Sequence, residues 1–269
     1  MWSTAGAARD AGPNPAYAAA RARLGLVLAL LAVAAVGWVW TARQMRGMDE
    51  GPWTSLGGLG WFLAVWVAMM AAMMFPSVAP TIALYTQVTK ATSRAAGWLF
   101  AGGYLLSWAT AGLLAYLVGR TSVALAGDAA AWEHGGRYVA GATLLLAAAY
   151  ELTPLKDVCL AKCRSPLSAL FGSWHGGPTG ALRMGLGNGA WCVGCCWALM
   201  ASLFALGVMS VTWMALIAGI IAAEKMLPWR RPVTWATAGL LLALGVLLVV
   251  APDALPGLHI PPGQTMQMG

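Results

Sequence analysis

The chain has 269 residues, 60% of them hydrophobic and 9% charged, with 16 Lys and Arg against 9 Asp and Glu. Soluble domains carry about 45–50% apolar and about 25% charged residues, so this composition excludes a soluble enzyme and points to an integral membrane protein. No basic run is interleaved with aromatics in a polar domain; the excess positive charge therefore reports topology, and no nucleic-acid partner is expected.

At about 20 residues per crossing, seven apolar segments follow one another: 24–42, 59–75, 97–118, 138–152, 186–207, 211–227 and 233–251. The expectation is an all-α, polytopic transmembrane helical bundle over 24–251, with a flexible N-terminal segment at 1–23 and a C-terminal tail at 252–269. Arg21, Arg23 and the "AVA" at Ala32 to Ala34 imitate a signal peptide. The apolar run continues to Trp40, which is anchor length, so the first segment reads as a retained span.

The second segment ends "VAMMAAMMFP". Met69 with Met73, and Met70 with Met74, form two i, i+4 ladders, and Pro76 is expected to mark the helix exit.

After the short fourth segment comes "YELTPLKDVCLAKCRSP". Thr153 reads as an N-cap, Pro154 as the first helical position and Pro166 as the stop, which predicts a short helix over 156–164 at the membrane surface. Cys159 and Cys163 are i, i+4 and share a face with Leu155, expected to turn toward the bundle. Lys156, Lys162 and Arg164 are expected to reach headgroups or cytoplasm.

The fifth segment holds "GAWCVGCCWALM". Cys192, Cys195 and Cys196 are spaced i, i+3 and i+4, so one helical face carries all three sulfurs, with Met200 a turn beyond. Gly185, Gly187, Asn188 and Gly189 precede them, readable as a helix break lining a cavity or as small-residue helix packing. From Met184 to Ala223 there is no charge. A straight helix of that length would reach about 60 Å, twice the hydrocarbon core, so a fold-back is expected near Gly207 to Ser210.

Orientation follows from the basic residues. With the N-terminus cytoplasmic and the C-terminus outside, only Arg43, Arg46, Arg120 and Arg137 of the 16 fall on the outer face. This orientation puts all five cysteines at or within the cytoplasmic half of the membrane. That compartment is reducing, which disfavours structural disulfides. The methionines before Pro76 come to about the same depth.

Two sulfur-rich stretches at one level suit a soft metal. Thiolates and thioethers select Cu(I) over hard ions, with zinc the next candidate. Packing is the plainer use of such residues, since methionine fills gaps and cysteine behaves as a small hydrophobe.

Taken together, "WVAMMAAMMFP", "YELTPLKDVCLAKCRSP" and "GAWCVGCCWALM" resemble a bacterial family of unknown function described as predicted metal-binding integral membrane proteins. The resemblance covers 61–228. It implies a copper-related role at Met69, Met70, Met73, Met74, Cys159, Cys163, Cys192, Cys195 and Cys196. The expected function is copper handling by chaperoning, storage or transport, with the bilayer, a metal ion and a copper-accepting protein as partners.

Two rivals differ in class. A membrane thiol-disulfide oxidoreductase would use the C-x-x-C of Cys192 and Cys195, but such enzymes usually expose a pair on the oxidising side, where no cysteine is expected. An assembly subunit would have no chemistry of its own. Catalysis otherwise has little support: there is no paired-carboxylate motif, phosphate loop or serine triad. His134, His175 and His259 fall in expected loops or the tail, which argues against bis-His haem. No ionisable residue is expected near mid-membrane: Glu151, Glu224 and Lys225 fall near helix ends, and Glu224 beside Lys225 reads as an interfacial pair.

Overall fold

The computed structural model describes residues 24–44, 57–88, 95–126, 136–164, 177–206, 210–227 and 229–251. The expected N-terminal segment 1–23 and tail 252–269 lie outside the described residues, as do His134, His175 and His259. The described residues form eight helices and no strand: α1 (Leu24–Gln44), α2 (Leu59–Val88), α3 (Ala95–Ala126), α4 (Arg137–Glu151), α5 (Pro154–Arg164), α6 (Gly177–Leu206), α7 (Val211–Met226) and α8 (Arg230–Val250).

All seven expected segments are helical. Five helices, α1, α2, α3, α6 and α8, are long and apolar enough to cross a membrane. A sixth crossing results if α4 and α5, which meet at a 68° bend, form one broken span. With 16 residues, α7 extends about 24 Å, short of the roughly 30 Å hydrocarbon core. Helix α6 ends at Leu206 and α7 begins at Val211; the fold-back expected near Gly207 to Ser210 falls mainly on residues 207–209, which lie outside the described residues.

Burial separates the helices by role. In their most apolar windows α2 is 56% and α6 61% buried inside the protein, whereas α1 is 17% buried. The central pair thus carries the sulfur-rich stretches and α1 lies at the periphery. A buried stripe runs down α6 through Ala181, Met184, Asn188, Cys192, Cys195, Leu199 and Leu206, with helical periodicity.

Glycine sets how closely α3 and α6 approach. A Cβ at Gly185 would run into the backbone carbonyl of Phe100, and one at Gly103 into that of Leu182. Ser107 adds a hydrogen bond across the seam, its hydroxyl donating to the Leu186 carbonyl at 2.9 Å. Small residues permit this approach where the hydrophobic effect supplies little attraction between helices. Helix α6 runs unbroken through its glycines, so the expected helix break is absent there and Gly185 serves close packing, while Asn188 does line a cavity.

The second correction concerns α2, which does not end at Pro76. It continues through Pro76 and Pro80 to Val88. Each proline deprives the carbonyl four residues earlier of its donor. The helix persists because Val78, Ala79, Ile82 and Tyr85 beyond the first proline are buried, and because the Ser77 hydroxyl donates back to the Met74 carbonyl at 2.9 Å. Packing outweighs the local break signal, as it commonly does in apolar bundles.

Candidate metal centre

The centre is assembled by the bend between α4 and α5. Thr153 caps α5 as its spacing suggests: its hydroxyl accepts the Lys156 backbone N–H at 3.3 Å and donates to the Tyr150 carbonyl at 2.7 Å. Turned through 68°, α5 packs against α6 and α7. Gly194 makes room for it, since a Cβ there would lie 2.9 Å from Cys159 Sγ. Tyr150 fixes the same seam, its hydroxyl donating to the Gly194 carbonyl at 2.7 Å.

The far end of α5 thereby brings Cys163 over the cysteine face of α6. Cys192, Cys195 and Cys196 are each 1% exposed. The sulfurs of Cys163, Cys192 and Cys195 lie within 4.8 Å of one another. Cys195 Sγ is 3.5 Å from Cys163 Sγ and 3.3 Å from Cys196 Sγ. All five cysteines are free, these separations being well beyond the roughly 2.05 Å of a disulfide.

Thiolates around a metal at about 2.3 Å stand about 4 Å apart when three are coplanar. The Cys163, Cys192 and Cys195 sulfurs are therefore close to a coordinating arrangement.

The remaining expected ligands divide. Cys159 is buried against Gly194, outside the three-sulfur group. Met69, Met70, Met73 and Met74 are all buried in α2. Met74 reaches the centre through Lys225, whose Nζ lies 3.7 Å from Met74 Sδ and 3.0 Å from Cys192 Sγ. The Tyr104 hydroxyl lies 3.0 Å from the same Cys192 sulfur. A small cavity lined by Ser77, Thr81 and Asn188 opens onto Cys163, Cys192 and Lys225.

Charged residues are where the sequence reading fails. Lys156, expected at the headgroups, is 0% exposed. Its ammonium joins Glu151 Oε1 at 2.7 Å and Glu224 Oε2 at 2.9 Å, linking the α4 end, α5 and α7. Glu224 and Lys225 are not an interfacial pair: consecutive helical residues diverge by about 100°, so Glu224 turns to Lys156 and Lys225 to the sulfurs. Glu151, Lys156 and Glu224 stand near helix ends, as their sequence positions suggest, yet are buried inside the protein, whereas Leu155, expected inside, is exposed. Arg164 closes the end of α7 by donating to the Glu224 carbonyl at 2.7 Å and to that of Leu227. The signal available for Lys156 was the rule that ionisable groups inside an apolar bundle pair with one another.

Among known protein families, residues 63–248 match PpoB2, described as a copper chaperone. The chain belongs to this copper-chaperone family. The assignment agrees with the copper-related family that the three motifs resemble, and the matched stretch contains all five cysteines, the Met69 to Met74 ladder and Lys225. No curated protein and no solved structure matches the chain. For a copper chaperone the donor chemistry is apt: the ligand atoms gathered here are sulfurs, the class that soft metals prefer.

Proposed function

We propose that the chain holds Cu(I) within the membrane at the sulfur group of Cys163, Cys192 and Cys195 and delivers it to a copper-accepting protein. Copper is then cargo. The observation that carries the reading is the three-sulfur group, contributed by α5 and α6, in a member of a copper-chaperone family. Cys196, beside Cys195, and Met74, beyond Lys225, provide further sulfur as the metal moves. Cys159, Met69, Met70 and Met73 support the helices that bear the centre.

We place the centre in the cytoplasmic half of a bacterial inner membrane on the charge asymmetry of the loops. An all-sulfur donor set suits Cu(I), and zinc, the next candidate, takes the same thiolates, so the family match is what favours copper here.

The test is a competition titration of the reduced, purified protein with a chromophoric Cu(I) chelator, followed by addition of a thiol-bearing acceptor. The expected result is about one tightly held Cu(I) per chain, retained against equimolar Zn(II) and released to the acceptor. Failure to compete with the chelator contradicts the proposal.

A further inference from the structure

Lys225 is the least expected group at the centre. It is the next-to-last residue of α7, and among the described residues no carboxylate stands within salt-bridge distance of it. Its neighbour Glu224 is engaged by Lys156. The hydrogen-bond acceptors facing its ammonium are instead Cys192 Sγ at 3.0 Å and Met74 Sδ at 3.7 Å. Its positive charge therefore faces sulfur, and it faces the same thiol that Tyr104 approaches from α3.

The charges around the sulfurs decide what such an ammonium can do. Cu(I) on two thiolates carries a net charge of −1, and on three a net charge of −2. Either is costly in a poorly hydrated interior unless a cation stands close by. Lys156 cannot serve, because two carboxylates already share it. An ammonium at hydrogen-bond distance from one ligating sulfur cancels the single charge of the two-thiolate species and leaves the three-thiolate species anionic.

We propose that Lys225 is the resident counter-cation of the copper centre, remaining on Cys192 when copper binds and favouring Cu(I) on two thiolates with the third sulfur nearby as a thiol. The role follows from placement. Lys225 approaches from α7 and Met74 from α2, whereas Cys163 comes from α5 and Cys195 from α6, so the cation sits beside the sulfur group without filling it. A two-thiolate complex with a spare sulfur is also suited to transfer, since an incoming thiol can enter before a resident one leaves.

This inference rests on the reading that the cysteine group binds copper, and the experiment separates the two. Cu(I) affinity is measured by chelator competition for the wild type and for Lys225→Met, Lys225→Gln and Lys225→Arg, each first checked for folding by its thermal unfolding without metal. Loss of an outer-sphere group at a metal site costs roughly tenfold to hundredfold in affinity. That loss is expected for both Met and Gln, with Arg restoring most of it. Glutamine keeps a hydrogen-bond donor without the charge and so covers the case in which the Met variant does not fold.

Unchanged or tighter binding in a folded neutral variant overturns the inference, because the ammonium would then be a bystander or a competitor of the metal. An Arg variant as weak as the neutral ones overturns it too. A wild type that binds no Cu(I) removes the proposed function itself, and the inference with it.

Discussion

Replacing Lys156 with Met will destabilise the protein by about 3–5 kcal/mol, the cost of leaving buried charge without its partner. In this case two carboxylates are stranded. Glu151 and Glu224 each direct one oxygen at the Lys156 ammonium, while among the described residues Glu151 Oε2 and Glu224 Oε1 have no hydrogen-bond partner. Among the described residues neither carboxylate pairs with a second cation, and Lys225 faces the sulfurs.

The same reasoning predicts a recovery. Converting Glu151 and Glu224 to Gln in the Lys156→Met background removes the stranded charges, and replacing a whole buried ion cluster is often neutral or stabilising. Equilibrium unfolding in mild detergent should therefore rank the triple variant well above the single one. Equal stability of wild type and Lys156→Met would mean that the triad contributes nothing to holding α4, α5 and α7 together.

The second large effect separates two cysteines that the sequence treats alike. Cys159 and Cys163 share a helix and an i, i+4 spacing. Cys163 Sγ lies 3.5 Å from Cys195 Sγ, whereas Cys159 Sγ rests against Gly194. Cys163→Ser should weaken Cu(I) binding by more than the roughly hundredfold that loss of an outer-sphere group can cost. Cys159→Ser should leave affinity near that of the wild type while lowering stability by about 1–3 kcal/mol through a buried hydroxyl lacking a good partner. Parallel chelator titrations and unfolding curves check both halves. A reversed order would place the metal on the wrong side of α5.

Much of the architecture was legible because apolar length and cap chemistry are local signals. Thr153 and Pro154 announce α5, and the spacing of Cys192, Cys195 and Cys196 announces their common face. The 68° bend that carries Cys163 onto that face was not legible, since it depends on Gly194 leaving space and on Tyr150 anchoring the seam. Pro76 misled because its local preference is overridden by the packing of the residues that follow it.

Lys156 and Lys225 misled for a different reason. Charge near a helix end is normally at the interface, and only the approach of residues 68 and 33 positions away in sequence reveals Lys156 as buried and Lys225 as turned, half-buried, toward the sulfurs. Cys163 could be paired with α6 only in three dimensions. The resemblance to a metal-binding family named nine candidate ligands; geometry gathers Cys163, Cys192 and Cys195 into one group, with Cys196 and Met74 at its edge.

The central claim is that copper rides on sulfur at this junction of α5 and α6. Its most direct test is the copper X-ray absorption spectrum of the reduced, Cu(I)-loaded protein. The account predicts a Cu(I) edge with a first shell of two or three sulfurs, and loss of that shell when Cys192 and Cys195 are replaced by Ser. A first shell of nitrogen or oxygen, or a sulfur shell that survives the double replacement, would contradict it.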